Sequence, residues 1–346
     1  MEKLEVYIII SPIGIKNAER KIECDILQGL NANRILVNLS SFPYNSKFWH
    51  YVKLGKKIRR PNRNLLINNL FIIFQKGSKY KKLLGFIKDK IQNHPSCQIE
   101  IYYQNLQCPL TNTVFFNFSS LFSKKEVSFS IIEEGVGNYY EYFQYFPKER
   151  RKLYLKKVLY FIYGLRVKIP VSQICYFSPF VKNAYLRMPG FSPRPEISKL
   201  LEFPKVEYQP EKNTVLMLGQ ESNSLSHGIE FYLSEQVKLI NDVNSILPHS
   251  KLIYKPHWDL DLNIENMFNL TTYQNLIVLR NDSSIEEIIH TIRPKVVVSF
   301  TSSALINIRL LLGESTNNEV SILSRNSFDA PFEIIQIFNN YNIKFI

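Results

Sequence analysis

Polar motifs directly follow three strand-like apolar runs, and this arrangement constrains the fold more than any other feature of the sequence. In an open α/β sheet, ligands bind at the carboxyl ends of the parallel strands. The sequence therefore predicts an α/β protein with a ligand site at strand ends. The runs and the motifs that follow them are Val127–Ile132 with the acidic pair and glycine Glu133-Glu134-Gly135, Lys251–Tyr254 with Lys255-Pro256-His257, and Val296–Ser299 with a cluster around Ser302 and Ser303.

Strand-like and helical segments alternate along the chain, which indicates parallel sheets built from βαβ units. In the first half, strands are predicted at Val6–Ile10, Arg34–Leu39, Gln98–Tyr103 and Thr113–Phe118. The pattern restarts after Glu202–Lys212, a proline-rich and charged segment that is typical of a linker. We therefore expect two Rossmann-like domains, 1–205 and 213–346, that face a central cleft.

The net charge of +13 is the compositional feature that bears most on function. It favours an anionic partner, which is nucleic acid, an anionic membrane surface or an acidic substrate. Basic side chains are concentrated at 53–63 and 148–157, and the second stretch adjoins the aromatic run Tyr139–Phe146. Basic and aromatic residues together suit an anionic lipid surface or single-stranded nucleic acid. A solvated lysine-rich face is the simplest interpretation.

Several protein classes are disfavoured by the sequence. No apolar run approaches the roughly 18 residues that span a bilayer, and the N-terminus has the pattern of a first strand and not of a signal peptide. The four cysteines form no C-x-x-C pair, which argues against zinc and redox motifs and favours a cytosolic location. Asp259-x-Asp261 offers too few oxygen ligands for a hard cation. We expect no metal and no cofactor.

The acidic pair Glu133-Glu134 has the chemistry of a general base, because a carboxylate at a strand end can take the proton of an acceptor hydroxyl. Consecutive residues in an extended chain point to opposite sides, so one glutamate is expected to face the ligand. A neighbouring charge or burial would raise its pKa toward the working range. The simpler interpretation is two solvated glutamates in a turn.

The Lys255-Pro256-His257 tripeptide suits a phosphate-bearing ligand. Proline ends a strand and fixes the direction of the chain that follows. The imidazole of His257 can donate a hydrogen bond to a phosphate oxygen and stabilise the charge on a departing nucleotide, and Lys255 adds a second cation. A histidine at an ordinary turn is the alternative interpretation.

Two further segments are candidates for nucleotide binding. Ser302 and Ser303 precede a predicted helix, and the N–H groups and hydroxyls of a helix start bind phosphate. Helix capping alone also explains serine at this position. Gly219 and Gln220 follow the first strand of the second half, where the absence of a glycine side chain allows a nucleotide to come close.

Taken together and in this order, the motifs resemble those of the bacterial sialyltransferases, in particular glycosyltransferase family 52 and the capsular polysialyltransferases. The matching segments are IIEEGVGNYY, LIYKPHWD and SFTSSALINI. The resemblance implies the GT-B fold, with an acceptor-side domain at 1–205 and a domain at 213–346 that binds a CMP donor. One position departs from the pattern: Trp258 follows His257 where the families usually have proline, which leaves the donor sugar open.

By this resemblance, the protein is an inverting, metal-independent glycosyltransferase that moves sialic acid from CMP-sialic acid to a hydroxyl of a bacterial surface glycan, either lipooligosaccharide or capsule. It implies that the first glutamate is the base, with the second as the alternative. It also implies that the histidine assists departure of CMP and that the serine pair holds the phosphate. The implied site residues are Glu133, Glu134 and His257 for catalysis, and Gly135, Gly219, Gln220, Lys255, Pro256, Ser302 and Ser303 for substrate binding.

The resemblance also gives the basic surface a role, which is to hold the enzyme at the inner face of the bacterial cytoplasmic membrane. Two alternatives remain at this point. The first is a GT-B glycosyltransferase with another nucleotide sugar, either a hexose donor or a different CMP-nonulosonate. The second is a non-catalytic nucleic-acid-binding protein, which would explain the charge and leave the three strand-end motifs without a role.

Overall fold

The computed structural model describes most of the chain. The described residues are 3–39, 41–55, 66–95, 98–122, 125–141, 154, 157–169, 172–202, 206–223, 227–257, 276–279, 284–313, 319–328 and 330–346. They form two compact units, Met1–Glu202 and Phe203–Ile346, each with its own sheet. Within these ranges, no helix combines the length and the apolar character that a membrane span requires.

The first unit contains a seven-stranded sheet in which every neighbouring pair of strands is parallel. The strand order is β3-β2-β1-β4-β5-β6-β7. The strands are β1 Lys3–Ile9, β2 Ala32–Asn38, β3 Tyr51–Leu54, β4 Gln98–Tyr103, β5 Glu126–Ile132, β6 Val181–Leu186 and β7 Ser198–Leu200. The helices with described bounds are α1 Pro12–Leu27, α2 Leu66–Asn93 and α3 Pro109–Leu121.

The central strand β1 shows why this sheet forms. Val6 and Ile8 on one face and Ile9 on the other are fully buried, which is typical of a parallel strand covered on both sides. The buried charge of this strand, Glu5, is paired with Lys21 at 2.8 Å. The chain then turns at once into α1, because the Ser11 hydroxyl accepts a hydrogen bond from the Gly14 N–H at 3.2 Å and Pro12 occupies the first helical position.

The register of the central strands brings their carboxyl ends to one level. Ile8 of β1 pairs with Val37 of β2 on one side and with Tyr103 of β4 on the other. Tyr103 in turn pairs with Ile131 of β5. The residues that follow β1, β4 and β5 therefore lie together at one edge of the sheet.

The second unit contains a six-stranded parallel sheet with the order β10-β9-β8-β11-β12-β13. Its core includes Val215, Leu252 and Val298 from the central strands and Leu239 from the helix that packs on them. The strands are β8 Glu211–Leu218, β9 Lys251–Lys255, β10 Leu276–Val278, β11 Pro294–Phe300, β12 Ser321–Arg325 and β13 Lys344–Phe345. The helices with described bounds in this unit are α4 Ile229–Ile246, α5 Ile285–Ile292, α6 Ser303–Leu312 and α7 Phe332–Asn340.

The predicted α/β class with parallel sheets is confirmed, and one predicted strand is wrong. Thr113–Phe118 lies inside α3, which begins with Pro109 at its first position. Threonine, valine and phenylalanine favour strands by propensity, but tertiary contacts override so weak a preference. Phe115 packs against Phe129 of β5 with ring centroids 4.7 Å apart, so the apolar side chains serve helix–sheet packing.

Candidate active site

Glu133, the first glutamate of the acidic pair, is completely buried at the end of β5. Its Oε1 accepts a hydrogen bond from Arg187 Nε at 2.8 Å, and Arg187 Nη2 forms an ion pair with the same oxygen. Its Oε2 accepts from the Tyr139 hydroxyl at 2.6 Å and from the Arg187 backbone N–H at 2.6 Å. Both oxygens therefore hold the end of β5 to the residue that follows β6.

Glu134, the second glutamate, is half-buried and has a different environment. Burial raises the pKa of its carboxyl to about 7, against a smaller lowering by the hydrogen bond from the Asn105 side chain. Among the described residues, the hydrogen-bond donor to the Glu134 carboxylate is the side-chain amide of Asn105. Asn105 lies just after β4, the strand that neighbours β5. A carboxyl with this pKa can accept a proton near neutral pH, as a general base must.

A short 3₁₀ helix, Val136–Tyr139, fixes the backbone of the acidic pair. The Asn138 side-chain oxygen accepts hydrogen bonds from the N–H of Glu134 at 2.8 Å and from the N–H of Gly135 at 3.3 Å. Its amide nitrogen donates to the backbone oxygen of Gln104 at 3.1 Å. The direction of Glu134 is therefore set by one buried asparagine that also contacts the end of β4.

The end of β1 is tied into the same edge through Gln104. Its side-chain oxygen accepts from the Ile10 N–H at 2.6 Å, and its side-chain nitrogen donates to the Ser11 hydroxyl at 2.7 Å. Gly14 leaves room for this amide, because a Cβ at that position would lie 2.2 Å from Gln104 Nε2. Hydrogen bonds thus connect the residues that follow β1, β4 and β5, and Glu134 is the half-buried carboxylate among them.

In the second unit, the residues after β8 and β9 meet because the two strands are neighbours. Gly219 N–H donates to the Lys255 backbone oxygen at 2.9 Å, and Gln220 N–H donates to the Tyr232 hydroxyl at 3.2 Å. Lys255, Pro256 and His257 are half-buried. The structure therefore brings the predicted glycine loop and the Lys-Pro-His tripeptide to one place.

Glu221 is a residue of this edge that the sequence analysis missed. It is fully buried and accepts hydrogen bonds from the Tyr254 hydroxyl and, at 2.8 Å, from the His257 backbone N–H. Burial raises the pKa of its carboxyl. A Cβ at Gly219 would lie 2.3 Å from both Glu221 Oε1 and the Tyr254 hydroxyl oxygen, so a larger residue would have to displace this hydrogen-bonded pair. The only signal in the sequence is a carboxylate two residues after that glycine.

Ser302 and Ser303 follow β11, the neighbour of β8 on its other side. Ser302 caps helix α6, and its hydroxyl accepts from the Ala304 N–H at 3.3 Å. Ser303 is the first residue of the helix and is half-buried. Ser299 Oγ donates to the Leu218 backbone oxygen at 2.8 Å, which joins the end of β11 to the end of β8. The helix start thus lies at the same edge as Gly219.

Each sheet therefore gathers one subset of the predicted site residues at its carboxyl edge. The first edge holds Glu133, Glu134 and Gly135. Trp258 and the Asp259-x-Asp261 triplet lie outside the described residues. Across the described part of the chain, no group of three or more histidine, cysteine, aspartate or glutamate side chains could hold a metal ion. The second edge holds Gly219, Gln220, Lys255, Pro256, His257, Ser302 and Ser303.

Comparison with known families decides the class of the protein. The model of the alpha-2,8-polysialyltransferase family (POLYST) matches residues 30–317, which is most of the chain. The chain belongs to this family. A search of curated protein sequences finds no match.

Solved structures similar to this polysialyltransferase-family chain include bacterial sialyltransferases. One is the alpha/beta-galactoside alpha-2,3-sialyltransferase of Photobacterium phosphoreum, with a TM-score of 0.54 and 13% sequence identity. The match covers 100% of this chain and 98% of the Photobacterium chain. The 2,6-sialyltransferase of Photobacterium sp. JT-ISH-224, solved with CMP and lactose, has a TM-score of 0.55 at 13% identity. That match covers 99% of this chain and 78% of the sialyltransferase. The GT-B domain of the Photobacterium damselae sialyltransferase has a TM-score of 0.50 at 14% identity, with 99% of each chain covered.

These findings confirm three predictions made from the sequence. The two parallel sheets have the GT-B fold. The resemblance to bacterial sialyltransferases of the polysialyltransferase type is confirmed by the family match. The protein is accordingly a glycosyltransferase of the sialyltransferase class.

Proposed function

We propose that this member of the polysialyltransferase family is an inverting, metal-independent enzyme that transfers sialic acid from CMP-sialic acid to a hydroxyl of a bacterial surface glycan, either lipooligosaccharide or capsule. The observation that carries the proposal is Glu134, a half-buried carboxyl with a pKa raised to about 7 at the end of a central strand. The family match and the CMP in the similar 2,6-sialyltransferase support the donor.

In the proposed reaction, Glu134 takes the proton of the acceptor hydroxyl while the hydroxyl oxygen attacks the anomeric carbon of sialic acid. The bond from that carbon to the phosphate oxygen of CMP breaks, and its electron pair leaves with CMP. Attack from the face opposite the leaving group inverts the anomeric centre. Asn105 has the role of holding the carboxylate, since its amide donates to Glu134 Oε2.

We assign the base to Glu134, although the resemblance favoured Glu133. Both oxygens of Glu133 accept hydrogen bonds from Arg187 and Tyr139, and the side chain has no exposed surface. Taking a proton there would require the buried ion pair to open, which is costly because it leaves the guanidinium uncompensated. Glu133 therefore acts on the reaction only through the backbone that positions its neighbour.

The second edge is assigned to the donor. Ser302 and Ser303 stand at the start of α6, where N–H groups and hydroxyls can receive the phosphate of CMP. We assign His257 the role of stabilising the negative charge that develops on that phosphate. Glu221 holds the loop of His257 by accepting a hydrogen bond from the His257 backbone N–H. Gly219 and Gln220 would border the nucleotide on the adjacent strand end.

A nucleotide screen tests the donor. The melting temperature of the purified chain is measured with CMP, CDP, UDP, ADP and GDP, with and without EDTA, since a ligand of the folded state raises it. We expect stabilisation by CMP that EDTA does not change. Stabilisation by UDP instead would keep the GT-B fold and replace the donor, which is the alternative that Trp258 leaves open. A CMP effect abolished by EDTA would contradict metal independence.

A matched pair of variants tests the base. Glu134→Gln should lower kcat by about 10²–10⁴-fold, the usual contribution of a general base, with unchanged CMP affinity and no loss of melting temperature. Glu133→Gln should instead lower the melting temperature. An active Glu134→Gln enzyme would overturn the assignment. NMR of the first product formed gives its anomeric configuration, and retention would exclude the inverting mechanism.

The proposed place of the reaction is the inner face of the bacterial cytoplasmic membrane, where lipid-linked acceptors are made. The net charge of +13 supports this location, because the lipids of that leaflet are anionic. Fractionation of cells that express the chain tests it, and recovery outside the cytoplasmic membrane fraction at low salt would contradict it.

A further inference from the structure

A short helical segment of the first unit exposes a row of large apolar side chains. Residue 154 and residues 157–162 are helical. Tyr154 is 56% exposed, Val158 63%, and Phe161 and Ile162 are each 66% exposed. Phe161 and Ile162 lie three and four residues after Val158 within 157–162, which places these three side chains on one side of the helix. We call them the Phe161 face.

The other side of this segment is packed on α2, so the exposure of the Phe161 face is fixed by tertiary contacts. Tyr160 is buried with its ring centroid 6.3 Å from that of Tyr80. Tyr163 lies edge-on to Phe74 at 6.3 Å and fills the space above Gly77, where a Cβ would be 2.4 Å from the Tyr163 ring. Two tyrosines thus anchor the segment with its apolar row outward.

The charged residues in this part of the sequence, after Glu149, all have one sign. The sequence from Arg151 to Ile169 contains six basic residues and no acidic residue. Three of the six, Lys157, Arg166 and Lys168, are described in the structure and are exposed. An apolar row with exposed cations on the same segment matches the interface of a bilayer, with acyl chains beneath anionic headgroups.

We propose that the Phe161 face docks this protein onto an anionic lipid surface. Val158, Phe161 and Ile162 enter the boundary between headgroups and acyl chains, and Lys157, Arg166 and Lys168 lie at the level of the lipid phosphates. A second copy of the chain fits this face poorly, because two such faces would bring these exposed cations together. The proposal concerns a surface and does not depend on the donor or acceptor assigned above.

The test is co-sedimentation of the full chain with vesicles of phosphatidylcholine alone and of phosphatidylcholine mixed with phosphatidylglycerol. We expect binding to the mixed vesicles that weakens as salt is added, because headgroup attraction is screened. Phe161→Ser should weaken that binding by about tenfold, since one large apolar side chain no longer enters the interface. Lys157→Gln should weaken binding to mixed vesicles and reduce its dependence on salt.

Phe332→Ser is the matched control, because Phe332 is 68% exposed at the start of α7 in the second unit and the substitution is the same. It should bind vesicles as the parent chain does. Equal binding by Phe161→Ser, Phe332→Ser and the parent would overturn the proposal, as would equal binding of the parent to both kinds of vesicle. Sedimentation velocity completes the test: a dimer that Phe161→Ser abolishes would assign the face to a second copy of the chain instead.

Discussion

The carboxyl edges of the two sheets each bury one glutamate completely, but the partners of the two carboxylates differ in kind. Glu133 is held by the guanidinium of Arg187 and by a tyrosine hydroxyl. Glu221 is held by a tyrosine hydroxyl and by the backbone N–H of His257. The first carboxylate joins two strand ends through an ion pair, while the second holds a loop through hydrogen bonds.

The difference suggests different tasks. At the first edge, the ion pair of Glu133 with Arg187 holds the backbone next to Glu134, which is half-buried and accepts a hydrogen bond from Asn105. At the second edge, the residue that is positioned is His257, and the carboxylate reaches its backbone directly. Neither buried glutamate is expected to touch substrate, and in the proposed reaction each positions a neighbour that we assign to substrate.

The largest effect should come from breaking the ion pair. Arg187→Met leaves a buried carboxylate without its cation, and loss of one partner of a buried pair costs about 3–5 kcal/mol. Urea unfolding measures the free energy directly. The double variant Arg187→Met with Glu133→Gln should lose less than the sum of the two single variants, because no buried charge is left unpaired. Additive losses would show that the pair is not coupled and would remove the contrast between the two edges.

The next largest effect is a dependence of folding stability on pH, which Glu134 causes at the first edge. Its folded-state pKa of about 7 lies above the ordinary value of 4.5, so the folded protein binds the proton more tightly than the unfolded chain. Stability contributed by this group is complete below pH 4.5 and is lost as pH rises to about 7. The loss is on the order of 2 kcal/mol for a carboxyl that keeps part of its hydration.

Activity should change in the opposite direction, because a base works only when deprotonated. The kcat/KM of the parent should rise with pH and level off above about 7. Urea unfolding from pH 4 to 8 on the parent and on Glu134→Gln isolates the contribution of this carboxyl to stability. Identical pH profiles for the two proteins would contradict the raised pKa.

A smaller effect is expected from the second edge. Glu221→Gln keeps one acceptor oxygen, so either the Tyr254 hydroxyl or the His257 N–H loses its acceptor, which costs about 1–3 kcal/mol for a buried group. If Glu221 positions His257, the kcat of Glu221→Gln should fall by more than the unfolded fraction of the variant explains. Tyr254→Phe is the control, because it removes one hydrogen bond to Glu221 and leaves the contact with His257. Equal kcat values for the two variants would show that Glu221 has no specific effect on His257.

The sequence predicted the parallel sheets and the strand ends because both depend on local patterns. Val127–Ile132 and Val296–Ser299 are apolar runs long enough to be buried strands, and each is followed by its motif within a few residues. The prediction for Thr113–Phe118 was wrong because β-branched and aromatic residues also pack well on one side of a helix. Short edge strands such as β3 and β7 carry no comparable apolar run.

The choice between Glu133 and Glu134 could not be made from the sequence, because it depends on a residue far along the chain. Arg187 lies 54 residues after Glu133, and nothing local marks it as a partner. Glu221 was missed for the same reason, since its partner Tyr254 lies in the next strand and its partner His257 lies just after that strand. Local patterns locate a site at a strand end, whereas contacts between strands decide which side chain remains available.

The smallest effect compares the serine caps of the two edges. Ser302 caps α6 and Ser11 caps α1, and replacing either by alanine should cost about 0.5–2 kcal/mol. Only Ser302 is assigned to the phosphate of CMP, so Ser302→Ala should also weaken CMP binding, measured by isothermal titration, while Ser11→Ala should not. Since the two variants lose the same kind of cap, any difference in CMP affinity reports the phosphate contact alone. Equal affinities would leave Ser302 as a helix cap and pass the phosphate role to Ser303 or to the helix N–H groups.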